Sequence, residues 1–161
     1  IAKGAFKMNH PITPLSIAKT WIGTAEIPGE KHNPVVVGWI QTAGGTWIHD
    51  DETPWCSAFI YTMVKQCGGQ LPKQGLRARH WLTVGTPVDL LDAEPGWDVA
   101  IFSRGGGDQP GPAVLDAPGH VALFDLWPGA DLIFVVSGNQ GNQVSRALYP
   151  TSRLLGIRRI S

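Results

Sequence analysis

Thr53-Pro54-Trp55-Cys56-Ser57-Ala58-Phe59 is the stretch on which the fold turns. Thr is a good N-cap and Pro is favoured at the first helical position. The run therefore predicts a helix capped by Thr53, with Pro54 at N1 and Cys56 at N3. A thiol there meets unpaired backbone N–H groups and the positive end of the helix dipole. Both favour thiolate, which lowers the thiol pKa and raises its nucleophilicity at neutral pH. Phe59, Ile60, Met63 and Val64 follow at helical spacing and define a buried face. The competing reading is a small, inert core Cys.

A nucleophilic Cys needs a base and a group that orients the base. Of the five His residues, four lie in less suggestive places: His10 in an N-terminal arm, His32 in a polar loop, His49 in an acidic cluster and His80 beside Trp81. His120 follows Pro118-Gly119 and opens the apolar run Val121-Ala122-Leu123-Phe124. This places it at the first residue of a strand, at a loop edge. The next apolar run, Ile133-Phe134-Val135-Val136, ends in Ser137-Gly138-Asn139-Gln140. Antiparallel pairing of these two runs brings Asn139 toward His120, where it would fix the imidazole tautomer. Taken singly, His120 reads as a solvated turn residue and Asn139 as a turn former. The order of Cys, strand-opening His and strand-closing Asn is what sets them apart.

The segments Asp50 to Phe59, Gly119-His120-Val121 and Gly138-Asn139-Gln140 together resemble the NlpC/P60 and CHAP superfamily of papain-like cysteine hydrolases of bacterial cell walls. The likeness is to a small branch found in phage endolysins and secreted lysis proteins. It runs from about Ile17 to Arg158 and takes in Glu26-Ile27-Pro28-Gly29, His32-Asn33-Pro34, Arg77-Ala78-Arg79, Trp81-Leu82 and Ser152 to Gly156. Two positions depart from the pattern. Ser137 stands where CHAP enzymes often carry Glu, and Trp97 separates Gly96 from Asp98 where Gly-Asp usually opens a strand. The second departure predicts a shifted register or a bulge.

The resemblance implies an α+β, papain-like domain spanning residues 15–161 after an arm at 1–14. It implies a catalytic set of Cys56, His120 and Asn139 and hydrolysis of a stem-peptide amide. A bond inside the peptide is favoured over the bond between muramic acid and L-Ala. Trp55, Arg77, Arg79 and Gln140 are weaker candidates for substrate binding. The Cys56 backbone N–H is a natural half of an oxyanion hole. No cofactor is expected. The expected partner is the peptidoglycan stem peptide, joined by an immunity protein or inhibitor if the chain is a toxin rather than an endolysin. A monomer is expected. The rival classes are a non-catalytic wall-binding module of the same fold and an intracellular thiol hydrolase.

Composition agrees with one domain: 161 residues suffice for an adequate core. Charged residues make up 16% and the formal net charge is zero. Nucleic acid is therefore not an expected partner, since phosphate binding needs a basic excess. No apolar run approaches the ~18 residues of a membrane span. No secretory h-region is visible and the chain opens at Ile1 without Met. The expected course is synthesis in the bacterial cytoplasm and action on the wall.

Cys67 lies eleven residues after Cys56. On one helix their Cα atoms would stand ~16 Å apart, well beyond the ~4.4–6.8 Å of a disulfide. Asp50, Asp51 and Glu52 are hard oxygen donors, but an EF-hand ligand spacing is absent, which leaves only a weak Ca²⁺ candidate. The coarse pattern is helices at 14–24, 31–42, 54–67 and 77–83. Strands follow at 99–102, 120–126, 132–137, 143–148 and 154–159. Helices first and antiparallel strands after is an α+β layout. The Gly- and Pro-rich stretch 103–118 either borders a cleft or is a passive insertion.

Overall fold

The computed structural model describes residues 11–48 and 54–161. Three helices come first: α1 (Pro14–Thr20), α2 (Pro34–Thr42) and α3 (Cys56–Cys67). Six strands follow: β1 (Thr86–Val88), β2 (Asp98–Ser103), β3 (Gly119–Leu126), β4 (Leu132–Ser137), β5 (Ser145–Pro150) and β6 (Leu154–Arg159). They form one antiparallel sheet in the order β1-β6-β2-β3-β4-β5. The mixed α+β architecture agrees with the sequence.

Local chemistry sets the helix limits. Thr13 and Ser16 form a reciprocal capping box, with Ser16 N donating to Thr13 Oγ1 at 3.1 Å and Thr13 N to Ser16 Oγ at 2.8 Å. Asn33 caps α2 by accepting from Val35 N at 3.0 Å, with Pro34 at N1. That cap starts α2 three residues later than the predicted Lys31. Val36, Trp39 and Ile40 are the buried residues of α2.

The start of α3 also differs from the sequence reading. Trp55, not Thr53, occupies the N-cap, and Cys56 is the first helical residue rather than the third. Thr53 lies outside the described residues. The cause is the Trp55 side chain. It is fully buried against Trp39 and Phe59, with centroids 5.7 and 6.5 Å away, and its Nε1 donates to Glu26 Oε1 at 2.6 Å. That anchor holds the Trp55 backbone at φ −119° and ψ 14°, outside the helical region. Trp55 is accordingly a core residue and does not face a substrate.

Helix α3 ends at Gly68, whose φ of 75° makes it a left-handed C-cap. Cys56 and Cys67 are both free thiols, at opposite ends of α3. Almost every residue from Cys56 to Val64 is buried, since α3 lies between the sheet and helices α1 and α2. Val99, Ile101, Val121, Leu123 and Val136 form the sheet's contribution to that core. Ala100, Phe102, Ala122, Phe124 and Val135 face the other way into a second, smaller core. Coverage on both faces explains why β2 and β3 read as continuous apolar runs. Beside Trp97 the pairing of β2 with β6 is regular from Asp98 to Ile101, and the register shifts only between Ile101 and Phe102.

Candidate active site

Cys56 opens α3, so its own backbone N–H has no intrahelical partner. His120 is the second residue of β3, in register with Phe102 on β2. The Cys56 thiol lies within electrostatic and hydrogen-bonding reach of the His120 imidazole and of the Val121 backbone. Burial on its own pushes the Cys56 thiol up. The charge and hydrogen bond of His120, the Val121 contact and the charge of Arg104 outweigh it and bring the thiol below its ordinary range.

The other side of the imidazole is held by Gln140, not Asn139. His120 Nε2 lies 3.0 Å from Gln140 Oε1. The amide orientation is settled by its far end, where Gln140 Nε2 donates to the Ser145 carbonyl at 2.7 Å. Oε1 can therefore only accept, so His120 Nε2 carries the proton and Nδ1 is left for the thiol. Tyr149 stacks on the ring in parallel, with centroids 4.6 Å apart and planes 3° off. The imidazole is thus fixed at its edge and on its face.

Asn139 misses His120 because β4 ends at Ser137 and the chain then turns. Asn139 sits at φ 55°, in the left-handed region where Asn is one of the few non-Gly residues at ease. The turn swings the next side chain, Gln140, under the ring. Ser137, at the position where CHAP enzymes often carry Glu, is buried and donates to the Val121 carbonyl at 2.7 Å.

The thiol opens on a cleft of about 550 Å³ lined by Arg77, Arg104, Leu115, Asp116 and Pro118 among others. The stretch 103–118 therefore borders the cleft. Arg77 belongs to that lining and pairs with Asp116 at 2.8 Å. Arg79, which the sequence pairs with it as a substrate contact, is buried and structural. Its Nε donates to Pro118 O at 2.9 Å, and its Nη1 to Pro110 O and Gly111 O, both at 2.8 Å. Arg79 staples the cleft-bordering loop to the body of the domain and is removed from solvent by doing so. Asp50, Asp51 and Glu52, with the weak Ca²⁺ reading, lie outside the described residues. Among the described residues no three His, Cys, Asp or Glu side chains gather as a metal site. No helix among them is long and apolar enough to cross a membrane.

Neither a family model nor a curated protein matches the sequence.

The two thiols should differ in reactivity in a direction opposite to their exposure. Cys56 is 4% exposed and its pKa is lowered; Cys67 is more open, but burial raises its pKa. Thiolate is the reactive form. At pH 7 iodoacetamide is therefore expected to label Cys56 before Cys67. Lowering the pH should slow Cys67 about tenfold per unit and Cys56 by less. Peptide-level mass spectrometry over a time course reads both rates. Faster labelling of Cys67 would mean that Cys56 is not activated.

Proposed function

We propose that this chain is a papain-like thiol hydrolase that cleaves an amide of the peptidoglycan stem peptide. The observation that carries the reaction type is a Cys56 thiol that lines an open cleft and is acted on by His120, whose Nε2 is held by Gln140. The substrate class rests on the resemblance of the Cys56, His120 and Gly138-Asn139-Gln140 motifs to cell-wall hydrolases.

In this reading the Cys56 thiolate attacks the amide carbonyl carbon, and the carbonyl π electrons move to oxygen. The Cys56 backbone N–H donates to that oxyanion. His120, protonated on both nitrogens, gives its Nδ1 proton to the departing amine as the C–N bond breaks. A thioester remains on Cys56. Water, deprotonated by His120 Nδ1, attacks it and releases the acid, and Cys56 leaves as thiolate. Gln140 holds Nε2–H throughout, so only Nδ1 exchanges protons.

The test is incubation of the purified protein with sacculi, followed by turbidity and mass spectrometry of the released fragments. New amine and carboxylate ends within the stem peptide, or a free muramic acid carboxylate, identify the bond cut. Intact sacculi would overturn the substrate class.

The base and its orienting group make a graded prediction. His120→Ala should cost at least ~10²-fold in kcat/KM, the scale for a general acid–base residue. Gln140→Ala removes one hydrogen bond to the ring and should cost about tenfold. Asn139→Ala should cost less than Gln140→Ala, because Asn139 serves the turn. Thermal melts exclude unfolding as the cause. A larger loss in Asn139→Ala than in Gln140→Ala would mean that Asn139, and not Gln140, orients the imidazole during turnover.

A further inference from the structure

We propose that Arg104 anchors a carboxylate of the substrate beside the scissile amide, so that the cleft selects peptides bearing a free carboxylate over their amidated counterparts. The inference deepens the hydrolase reading and rests on it for the amide chemistry.

Arg104 follows the last residue of β2, Ser103, which is in register with Gly119 at the start of β3. Its guanidinium is thereby carried to the same end of the sheet as His120, and it shares the cleft lining with Cys56. Among the described residues three charged side chains line that cleft: Arg77, Arg104 and Asp116. Arg77 and Asp116 neutralise each other at 2.8 Å, with His80 a further 3.7 Å neighbour of the same carboxylate. Arg104 is exposed and has no ion pair or side-chain hydrogen bond among the described residues. Among the described residues the cleft therefore presents one uncompensated cation next to the nucleophile.

Two features give that cation a carboxylate as its partner. A guanidinium matches a carboxylate with two parallel N–H···O bonds. A carboxylate close to the scissile bond would otherwise repel the Cys56 thiolate, and a cation between them removes that obstacle. Arg104 already acts on the thiol in this sense, since its charge favours the thiolate. The same charge acts on Tyr149, the ring stacked on His120. Arg104 thus sits within electrostatic reach of both the nucleophile and the support of its base.

The test uses two alkylating agents that differ by one charge. Iodoacetate and iodoacetamide both form an S–C bond at Cys56 as iodide leaves, but only iodoacetate carries a carboxylate. The ratio of their rates cancels the thiolate fraction, which any change at Arg104 also alters. In Arg104→Gln that ratio, read at Cys56 by mass spectrometry, is expected to fall at least about tenfold from the wild-type value. Lys65→Gln, a charge removal at the far end of α3, should leave it unchanged. An unchanged ratio in Arg104→Gln overturns the proposal. A fall equal to that in Lys65→Gln also overturns it, because net charge alone would then account for the effect. Alkylation needs no turnover. Failure to digest sacculi with a shifted ratio therefore counts against the substrate class alone. Digestion with an unshifted ratio counts against Arg104 alone. Where turnover is measurable, a peptide and its carboxamide analogue should lose their difference in KM in Arg104→Gln, with the analogue's KM little changed.

Discussion

Cys56→Ala is expected to remove all measurable sacculus hydrolysis while the domain remains folded. Loss of a nucleophile in a thiol or hydroxyl hydrolase costs on the order of 10⁶-fold, because no neighbouring group replaces the covalent step. The structural cost is small by comparison. Cys56 is buried, but Ala deletes a single sulfur, which is worth about 1 kcal/mol, and Gln140 and Tyr149 still hold the His120 ring. Cys67→Ala, at the other end of α3, should keep full activity. The pair separates catalysis from packing: both variants delete one thiol from the same helix, and only one deletes the proposed nucleophile. Turbidity assays with matched thermal melts are sufficient. Hydrolysis retained in Cys56→Ala would remove the thiol mechanism, whatever the geometry of His120.

The parts of this molecule that were legible in the sequence are those fixed by local pattern. The strand runs at 99–102, 120–126, 132–137 and 154–159 fall within one residue of β2, β3, β4 and β6, because each is an apolar block between turn residues. β5 begins and ends two residues later than the 143–148 pattern, because Gln143 makes only an isolated bridge to Ala25 before the ladder proper. Strand β1 was missed. Thr86-Pro87-Val88 is three residues long, contains a Pro and lies at the sheet edge, so it carries neither length nor alternation. Cys56 and His120 stand out in the sequence because each occupies the first or second residue of an element, and element starts leave a mark there.

What could not be read depends on contacts made across the chain. A Trp before a Cys looks like a cleft wall until Glu26 and Trp39 are seen to bury it. Arg79 looks like a substrate contact because charged residues are seldom fully buried. The carbonyls of Pro110, Gly111, Val114 and Pro118, contributed by a loop more than thirty residues away, make its burial tolerable. The choice between Asn139 and Gln140 turned on one left-handed residue. A strand continued for two residues past Ser137 would have put Asn139 on the imidazole; φ of 55° at Asn139 hands that place to Gln140. Adjacent Asn and Gln both offer an amide, so residue type could not decide between them.

Gly138 is where the fold and the proposed chemistry meet, and Gly138→Ala is expected to be the most destabilising single methyl that can be added near the site. A Cβ at this position would overlap Trp55 Cζ3, lie 2.5 Å from Trp55 Cε3 and lie 3.0 Å from Phe59 Cβ. The indole cannot retreat. It is fully buried, packed on Trp39 and tied to Glu26 at 2.6 Å. Overpacking a tight core typically costs 1–3 kcal/mol, and a contact this close on a ring so confined belongs at the upper end. About 3 kcal/mol lowers the melting temperature of a domain this size by roughly 10 °C. The effect should also reach the site, because Trp55 immediately precedes Cys56 and Gly138 stands two residues before Gln140. Displacing either partner moves one end of the Cys56, His120 and Gln140 series. Activity measured well below the melting temperature should therefore remain depressed in molecules that are fully folded. Adding Trp55→Phe to Gly138→Ala makes room for the methyl and should recover part of the lost stability, although Trp55→Phe alone destabilises by losing the bond to Glu26. Such opposite signs are the signature of a direct contact in a double-mutant cycle. Strict additivity, or a Gly138→Ala variant as stable as the parent, would show that the indole is not held where its contacts place it. The positioning of Cys56 would then need a different anchor.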